Sequence, residues 1–454
     1  VNLSVTLKNQ SYTFGSLKEV FAKANQEKSG DLNAGLAAGS AAERVAAKRV
    51  LSEITLAEIY ENPMVPPESD SVSRVIYDGL DNDAYRQVKG WTVRQLRETL
   101  LSTSCTGPLL HRLGQGLTSE MIAAVTKLMS NLDLVTVAAR IRNVVRANST
   151  LGLRGRLSVR LQPNHPFDSV DGMLASAREG ICFGSGDALI GINPVIEDLA
   201  SVTRLMNASW DFIRKWQIPT QNCVLAHVTT QMKAIDKGAR ADVMFQSLAG
   251  SQASLSVFGI SVEMMDEAFA MAREKCTATG PNVMYFETGQ GSELSANAHL
   301  GCDQLTMESR CYGLARRWNP FMVNTVVGFI GPEYLKNGSQ VIRAGLEDHF
   351  MGKLHGLSMG CDACYTNHMD ADQNDLENLV VILAAAGVNF FMGLPMGDDV
   401  MLNYQSSGFH DMATIRQVLG LRPTPEFEVW MEEKGLMEDG KLTERAGDPT
   451  LFGE

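Results

Sequence analysis

The fold predicted by the sequence is a closed α/β barrel of eight parallel strands, the (β/α)8 or TIM-barrel type, with a helical N-terminal region and a short C-terminal tail. Three observations predict it. From about residue 155 short apolar, β-branched runs recur, an amphipathic interval of helical spacing follows each run, and there are eight such pairs. An open doubly wound sheet would have fewer strands and an early Gly-rich turn between strand and helix. Here Gly184-Ser185-Gly186 stands before a strand instead.

The elements follow in chain order. The first third is predicted helical: residues 37–54 are Ala-rich, and 92–101 and 119–145 have helical spacing. Pro63, Pro66, Pro67 and the Gly107-Pro108 turn break that pattern. Strands are predicted at 157–161, 188–192, 223–228, 243–248, 282–286, 322–330, 357–361 and 388–394. Helices are predicted at 170–179, 195–216, 231–238, 257–275, 297–318, 340–353, 372–385 and 411–419. The nearly apolar stretch 379–397 contains Gly387, Gly393, Pro395 and Gly397, so it reads as a buried helix and then a buried strand, not a membrane span. After Arg422, the Pro423-Thr424-Pro425 break opens the charged tail. The boundaries are 1–115 for the helical region, 116–421 for the catalytic barrel and 422–454 for the tail.

Composition narrows the function. The 454 residues are 44% apolar and 20% charged, enough to bury large cores without disulfides or structural metal. Against 52 acidic residues stand 40 basic ones, a net charge of −12, which argues against a nucleic-acid or anionic-membrane partner and suits a small or cationic ligand. Eight scattered cysteines fit reduced thiols, and the start, Val1-Asn2-Leu3-Ser4, lacks a basic segment leading into an apolar core; the expectation is a cytoplasmic protein.

In such barrels the reacting side chains lie at the carboxyl ends of the strands. Those positions offer Arg160, Gln162 and Asn164, then Asn193 before Pro194, His227, Gln246, Glu287, Asn324, Phe329 and Asp362. Two carboxylates at one mouth, Glu287 and Asp362, repel unless a cation or a proton lies between them, so a small ammonium compound suits that side. Arg160, Gln162 and Asn193 supply donors for an oxygen opposite. An amino alcohol fits the layout. Metal-assisted hydrolysis fits poorly, because only His227 is a well-placed histidine, and no metal is expected on the protein itself. Cys361-Asp362-Ala363-Cys364 with His368 imitates half a zinc site, but the second pair is missing. Glu347-Asp348-His349-Phe350-Met351-Gly352 comes close to an Asp-x-His-x-x-Gly cobalamin signature, yet Glu347 holds the Asp position and the segment reads as barrel helix, which leaves His349 a surface or packing residue.

Longer strings carry a resemblance. Residues 158–164 (Ser-Val-Arg-Leu-Gln-Pro-Asn), 191–195 (Gly-Ile-Asn-Pro-Val), 223–231, 285–292 (Tyr-Phe-Glu-Thr-Gly-Gln-Gly-Ser), 324–334 and 344–353 resemble the large subunit of ethanolamine ammonia-lyase, and the likeness runs from the Ala-rich helix to Arg445-Ala446-Gly447-Asp448-Pro449. The resemblance implies an adenosylcobalamin-dependent radical lyase that turns ethanolamine into acetaldehyde and ammonia. The cofactor would lie between this chain and a separate small subunit. It implies that Glu287 and Asp362 hold the ammonium end, that Arg160, Gln162 and Asn193 bind the hydroxyl, and that Phe329 lines the cavity. Pro194, Gln246, Ser295 and Met401 match positions that contact the corrin. It further implies a hexamer of large–small pairs, a reactivating factor, and either free cytosol or a bacterial microcompartment. A cobalamin-free barrel lyase or aldolase, or a binding subunit without activity, remain as other classes; the first would need a strand-end lysine or a metal cluster, and the second is disfavoured by the intact Arg160, Glu287 and Asp362.

Overall fold

A computed structural model describes residues 1–400 and 403–453. Eight parallel strands form one sheet: β1 (Ser158–Leu161), β2 (Leu189–Ile192), β3 (Asn222–Val224), β4 (Met244–Ser247), β5 (Met284–Thr288), β6 (Met322–Val327), β7 (Met359–Ala363) and β8 (Phe390–Gly393). All eight fall on the predicted runs. Their spatial order is β3-β2-β1-β8-β7-β6-β5-β4, so the first strand pairs with the last and the order is that of a barrel. The strands are short and buried on both faces, as parallel strands walled by helices must be.

Side chains stitch the remaining seam, between β3 and β4. Val243 N donates to Asn222 O at 3.3 Å, and Asn222 and Asp242 exchange backbone-to-side-chain bonds of 2.8 and 3.1 Å. The Gln231 amide donates to Ala226 O (2.6 Å) and Phe245 O (2.7 Å) and accepts from Phe245 N (3.1 Å), replacing ladder bonds that the two strands do not make.

The barrel helices are α1 (Val170–Cys182), α2 (Leu199–Trp216), α3 (Val228–Asp236), α4 (Val262–Lys275), α5 (Gln304–Ala315), α6 (Gly338–Leu354), α7 (Gln373–Ala385) and α8 (Phe409–Leu419). Side-chain caps start most of them: Asp198 accepts from Ser201 N, Asp303 from Thr306 N and Asn337 from Gln340 N. The predicted interval 257–275 starts too early: a separate helix, Gln252–Val257, ends at its first residue, and α4 begins at Val262 because Ser261 caps a new start. Likewise 119–145 is not one helix. Ser119–Lys127 ends near Met129, Ser130 caps Asn131–Ala138, and Val145–Arg146 is already extended.

The N-terminal region is mostly helical, as its composition predicts, but opens with an antiparallel hairpin, Ser4–Leu7 against Gln10–Thr13. The helix Ser119–Lys127, just after that region, is buried along its whole length between the N-terminal helices and α5 and α6. The tail is less solvated than its charge suggests. Its helix Pro425–Glu433 presses Phe427, Trp430 and Met431 onto Ile181, Phe212 and Phe409 of the barrel wall. No helix among the described residues is long and apolar enough to cross a membrane.

Candidate active site

Alternation along β1 and β5 sends every second side chain into the barrel, and Arg160 with Gln162 and Tyr285 with Glu287 obey that spacing of two. Arg160 is buried and stands at the centre of the site. Its Nη1 donates to Gln162 Oε1 at 2.5 Å and lies 3.0 Å from Met392 Sδ; its Nη2 donates to Asn193 Oδ1 at 2.8 Å. Gly191 makes this possible, for a Cβ there would lie 2.5 Å from Arg160 Nε.

Glu287 is 3.7 Å from Arg160 Nη1. Its Oε1 accepts from Tyr285 Oη at 2.6 Å and, more weakly, from Asn324 Nδ2 at 3.4 Å. The Tyr285 ring also lies under the guanidinium, 5.6 Å from Cζ to centroid. Asp362 is buried at the end of β7 and accepts from Tyr404 Oη (2.8 Å) and Ser406 Oγ (2.5 Å). The structure therefore gathers Arg160, Gln162, Asn193, Glu287 and Asp362 within one mouth. The poles are closer than expected: Arg160 is in ion-pair range of Glu287 rather than across the mouth from it.

Burial pushes the Asp362 carboxyl up to about 7; the Ser406 and Tyr404 hydrogen bonds pull it down, Glu287 raises it and Arg160 lowers it. Burial alone would lower the Arg160 guanidinium, but the fields of Tyr285, Glu287, Tyr404 and Asp362 raise it, so it stays charged. Burial keeps the Tyr285 and Tyr404 phenols well above their ordinary value, so both act as donors. Two buried atoms at the site, Arg160 Nε and Asn324 Oδ1, have no protein partner. One is a donor and the other an acceptor.

Phe329 lies beyond β6, partly exposed and edge-on to the Tyr404 ring at 5.5 Å. With Glu287, Thr288, Ser295 and Val326 it lines a cleft of about 460 Å³. Ser295 Oγ donates to Ser292 O. Pro194 is buried directly after Asn193, and the Gln246 amide is used locally, accepting from Val228 N at 2.9 Å and donating to Ser247 O at 3.2 Å. Met401 lies outside the described residues. His227 caps α3, with its ring nitrogens 2.8 Å from Thr229 Oγ1 and 3.1 Å from Phe258 O, which leaves no nitrogen for a ligand. His349 is fully packed within α6. Cys361 and Cys364 are buried, and the Cys364 thiol donates to Val327 O.

A family model described as Ethanolamine ammonia lyase large subunit (EutB) matches residues 12–445. The chain belongs to this family. It is 54% identical over 452 residues to the ethanolamine ammonia-lyase large subunits of Escherichia coli (strain K12) and of Salmonella typhimurium (strain LT2), with 100% of this chain and 100% of each relative covered. The "large subunit" of those names implies a small-subunit partner.

Sequence reasoning about this ethanolamine ammonia-lyase family member missed the residues that hold the others. Tyr285 had a signal, standing two positions before Glu287 on one strand. Asp399, Tyr404 and Ser406 had none. They arrive on a hairpin after β8, in which Asp398–Asp399 pairs with Tyr404–Gln405, and that in turn with Tyr365–Thr366 beyond β7. Asp399 accepts from Gln162 Nε2 (2.5 Å) and Asn164 Nδ2 (3.0 Å), while Tyr404 and Ser406 hold Asp362. One hairpin thus ties both sides of the site.

Proposed function

We propose that this chain is the catalytic large subunit of an adenosylcobalamin-dependent lyase that converts ethanolamine into acetaldehyde and ammonia. The observation that carries the reading is the convergence of Arg160, Gln162 and Asn193 with Glu287 and Asp362 in one barrel mouth. Family membership supports it. One substrate gives one acetaldehyde and one ammonia: the C–N bond breaks and hydrogen passes from the hydroxyl-bearing carbon to its neighbour.

The residues bind, orient and exclude water. Glu287 accepts from the ammonium group, which loosens the 3.7 Å contact with Arg160 and frees the guanidinium for the hydroxyl oxygen. Asp362, protonated in part near neutrality, gives up its proton as the ammonium charge arrives and becomes its second anchor. Gln162 and Asn193 fix the Arg160 plane, so its donors are aimed before the substrate enters. As the C–N bond breaks, charge moves between nitrogen and oxygen, and these preset groups stabilise the shift without solvent reorganisation. Phe329 and Tyr404 wall one side of the cavity.

Adenosylcobalamin suits the surroundings of this mouth. Pro194, Gln246 and Ser295 stand in or at the ends of strands and loops that open there, and Val195, Ile196, Val257, Phe329 and Met396 in the same set of loops are exposed apolar side chains of the kind that mark a ligand or partner face. Met401 belongs to the same proposal. When bound, the cofactor supplies the radical chemistry needed to move hydrogen from an unactivated carbon. A small subunit completes the cover; a hexamer of large–small pairs, a reactivating factor, and residence in the cytoplasm or a bacterial microcompartment complete the proposal. None of the eight strands carries a lysine, which disfavours a Schiff-base aldolase.

The test mixes the chain with its small subunit, adenosylcobalamin and ethanolamine. Acetaldehyde release together with a cob(II)alamin spectrum is expected. Acetaldehyde without the spectral change overturns the cofactor, and neither signal overturns the reading.

A further inference from the structure

The opposite, N-terminal end of the barrel holds a group of cations without acids. A cavity of about 330 Å³ lies between the 152–156 turn, the α7–β8 connection and the end of α8, and its lining includes Arg142, Arg154 and Arg156 but no carboxylate. Arg156 is matched by Glu428. Arg142 and Arg154 make no ion pair among the described residues, and Arg142 uses only Ile141 O. Directly behind them is Lys353, a buried lysine of α6 that also has no carboxylate partner; its Nζ donates to Gly387 O at 2.8 Å. Gly387 shows how tightly the charges converge. A Cβ built there would lie 2.9 Å from Arg142 Nη1 and 3.4 Å from Lys353 Nζ.

Two exposed arginines and a buried lysine leave positive charge that no protein carboxylate offsets; without an anion the lysine sheds its proton readily, and with one it would hold it. The carboxyl ends of α7 and α8 give partial negative charge, which suits one cation and not three. The groups facing Lys353 are Arg142, the Gly387 carbonyl and, on its own helix, His349; none of them is acidic. Burial and then Arg142 push the Lys353 ammonium down to about 7.

We infer that this end of the barrel binds a phosphate-sized oxyanion, held by Arg142 and Arg154 with Lys353 behind, remote from the substrate mouth. The chemistry is shared by free inorganic phosphate and by a small phosphomonoester, and the volume admits either. The site is independent of the proposed lyase reaction.

The test is calorimetry on the large–small complex at pH 8 and fixed ionic strength, titrating sulfate, inorganic phosphate and ribose 5-phosphate, with potassium chloride as control. Saturable binding of sulfate and phosphate, absent with chloride, is expected. Because bound anion raises the Lys353 pKa, binding takes up a proton; sulfate does not titrate at this pH, so its heat should change between buffers of different ionisation enthalpy. Arg154→Ala, at an exposed side chain, should weaken binding at least tenfold while leaving the melting temperature of the free complex unchanged. Lys353→Met should abolish the buffer dependence. Tighter binding of the phosphomonoester assigns an organic phosphate, and equal binding assigns the free anion. No saturable heat, heat matched by chloride, or unchanged affinity in both Arg154→Ala and Arg142→Ala overturns the site.

Discussion

The barrel mouth and the ion network beneath the N-terminal helices contain similar side chains and use them differently. In the network, Lys28 and Glu347 pair at 2.7 Å with both side chains fully buried, and Arg343 reaches the other Glu347 oxygen at 2.6 Å. The Gln290 amide donates to Glu347 (3.1 Å) and Asp348 (2.7 Å), and Thr325 Oγ1 donates to Asp348 at 2.7 Å. Arg310 is matched to Glu120 and Asp70, and Lys127 to Asp303. In the mouth the Arg160–Glu287 contact is long and a cleft opens beside it, whereas single buried oxygens without a partner occur in both regions, Glu120 Oε2 in the network and Asn324 Oδ1 in the mouth. A density of charge therefore does not mark a site; charge left unmatched beside an opening does. The two regions are also joined. Gln290 follows Glu287 by three residues, and Thr325 of β6 is in register with Thr288 of β5, so the network holds the backbone that carries Glu287.

The largest effect is expected at the mouth. Glu287→Gln keeps shape and loses the charge that anchors the ammonium group, and turnover should fall at least about 1,000-fold, equivalent to about 4 kcal/mol. Steady-state acetaldehyde release measures it; near-normal turnover would remove Glu287 from the proposed mechanism. Lys28→Met tests the network by stability instead. Losing one partner of a buried pair costs about 3–5 kcal/mol, and because Arg343 still holds Glu347 the loss should be near about 3 kcal/mol in urea unfolding. An unchanged midpoint would mean that apolar packing alone docks the N-terminal region. Arg160→Ala should lose about 100-fold in kcat/KM, or about 2.7 kcal/mol, and regain part of it with added guanidinium, since Gln162 and Asn193 remain to receive the ion. No rescue at any concentration counts against that placement.

The two regions were also unequally legible in the sequence. Arg160, Gln162, Asn193, Glu287 and Asp362 could be found because the eight strand runs are local patterns, and strand ends follow from them. Tyr404, Ser406 and Asp399 could not, since their partners lie more than 40 positions away across a hairpin that periodicity does not announce. Lys28 reads as a surface residue in a polar stretch, yet it is buried against Glu347 some 300 residues later in the chain. The N-terminal hairpin was hidden for a related reason, because its four-residue strands are largely exposed and carry no apolar alternation strong enough to compete with the helical texture around them. Long-range ion pairs of this kind leave no periodic trace.

The smallest effect, and the one that best separates the two regions, concerns Asp362. Its carboxyl is held near 7 chiefly by burial, with the Ser406 and Tyr404 hydrogen bonds pulling it down. For an acid raised in the folded state, stability is fully present below the ordinary value of 3.8 and is lost as pH climbs through about 7. Substrate binding has the opposite slope, since an ammonium ion needs the carboxylate. Accordingly kcat/KM should fall about tenfold for each unit below pH 7, with a proton released on binding. Tyr404→Phe removes a bond that favours the charged form, so Asp362 should titrate higher and the acidic limb of the profile should move to more alkaline pH. At pH 7 the variant should lose about tenfold in kcat/KM and recover most of it at pH 8.5. Glu347 offers a contrast from the other region: despite burial, Lys28 and Arg343 hold it down to about 2, so its contribution to stability is present above the ordinary 4.5 and lost as pH falls toward 2, whereas burial raises its neighbour Asp348 to about 7, so it is the kcat/KM profile of Tyr404→Phe, not stability, that separates the regions near neutrality. A Tyr404→Phe profile that keeps its midpoint would show that the limb belongs to another group and that Asp362 enters the reaction already ionised.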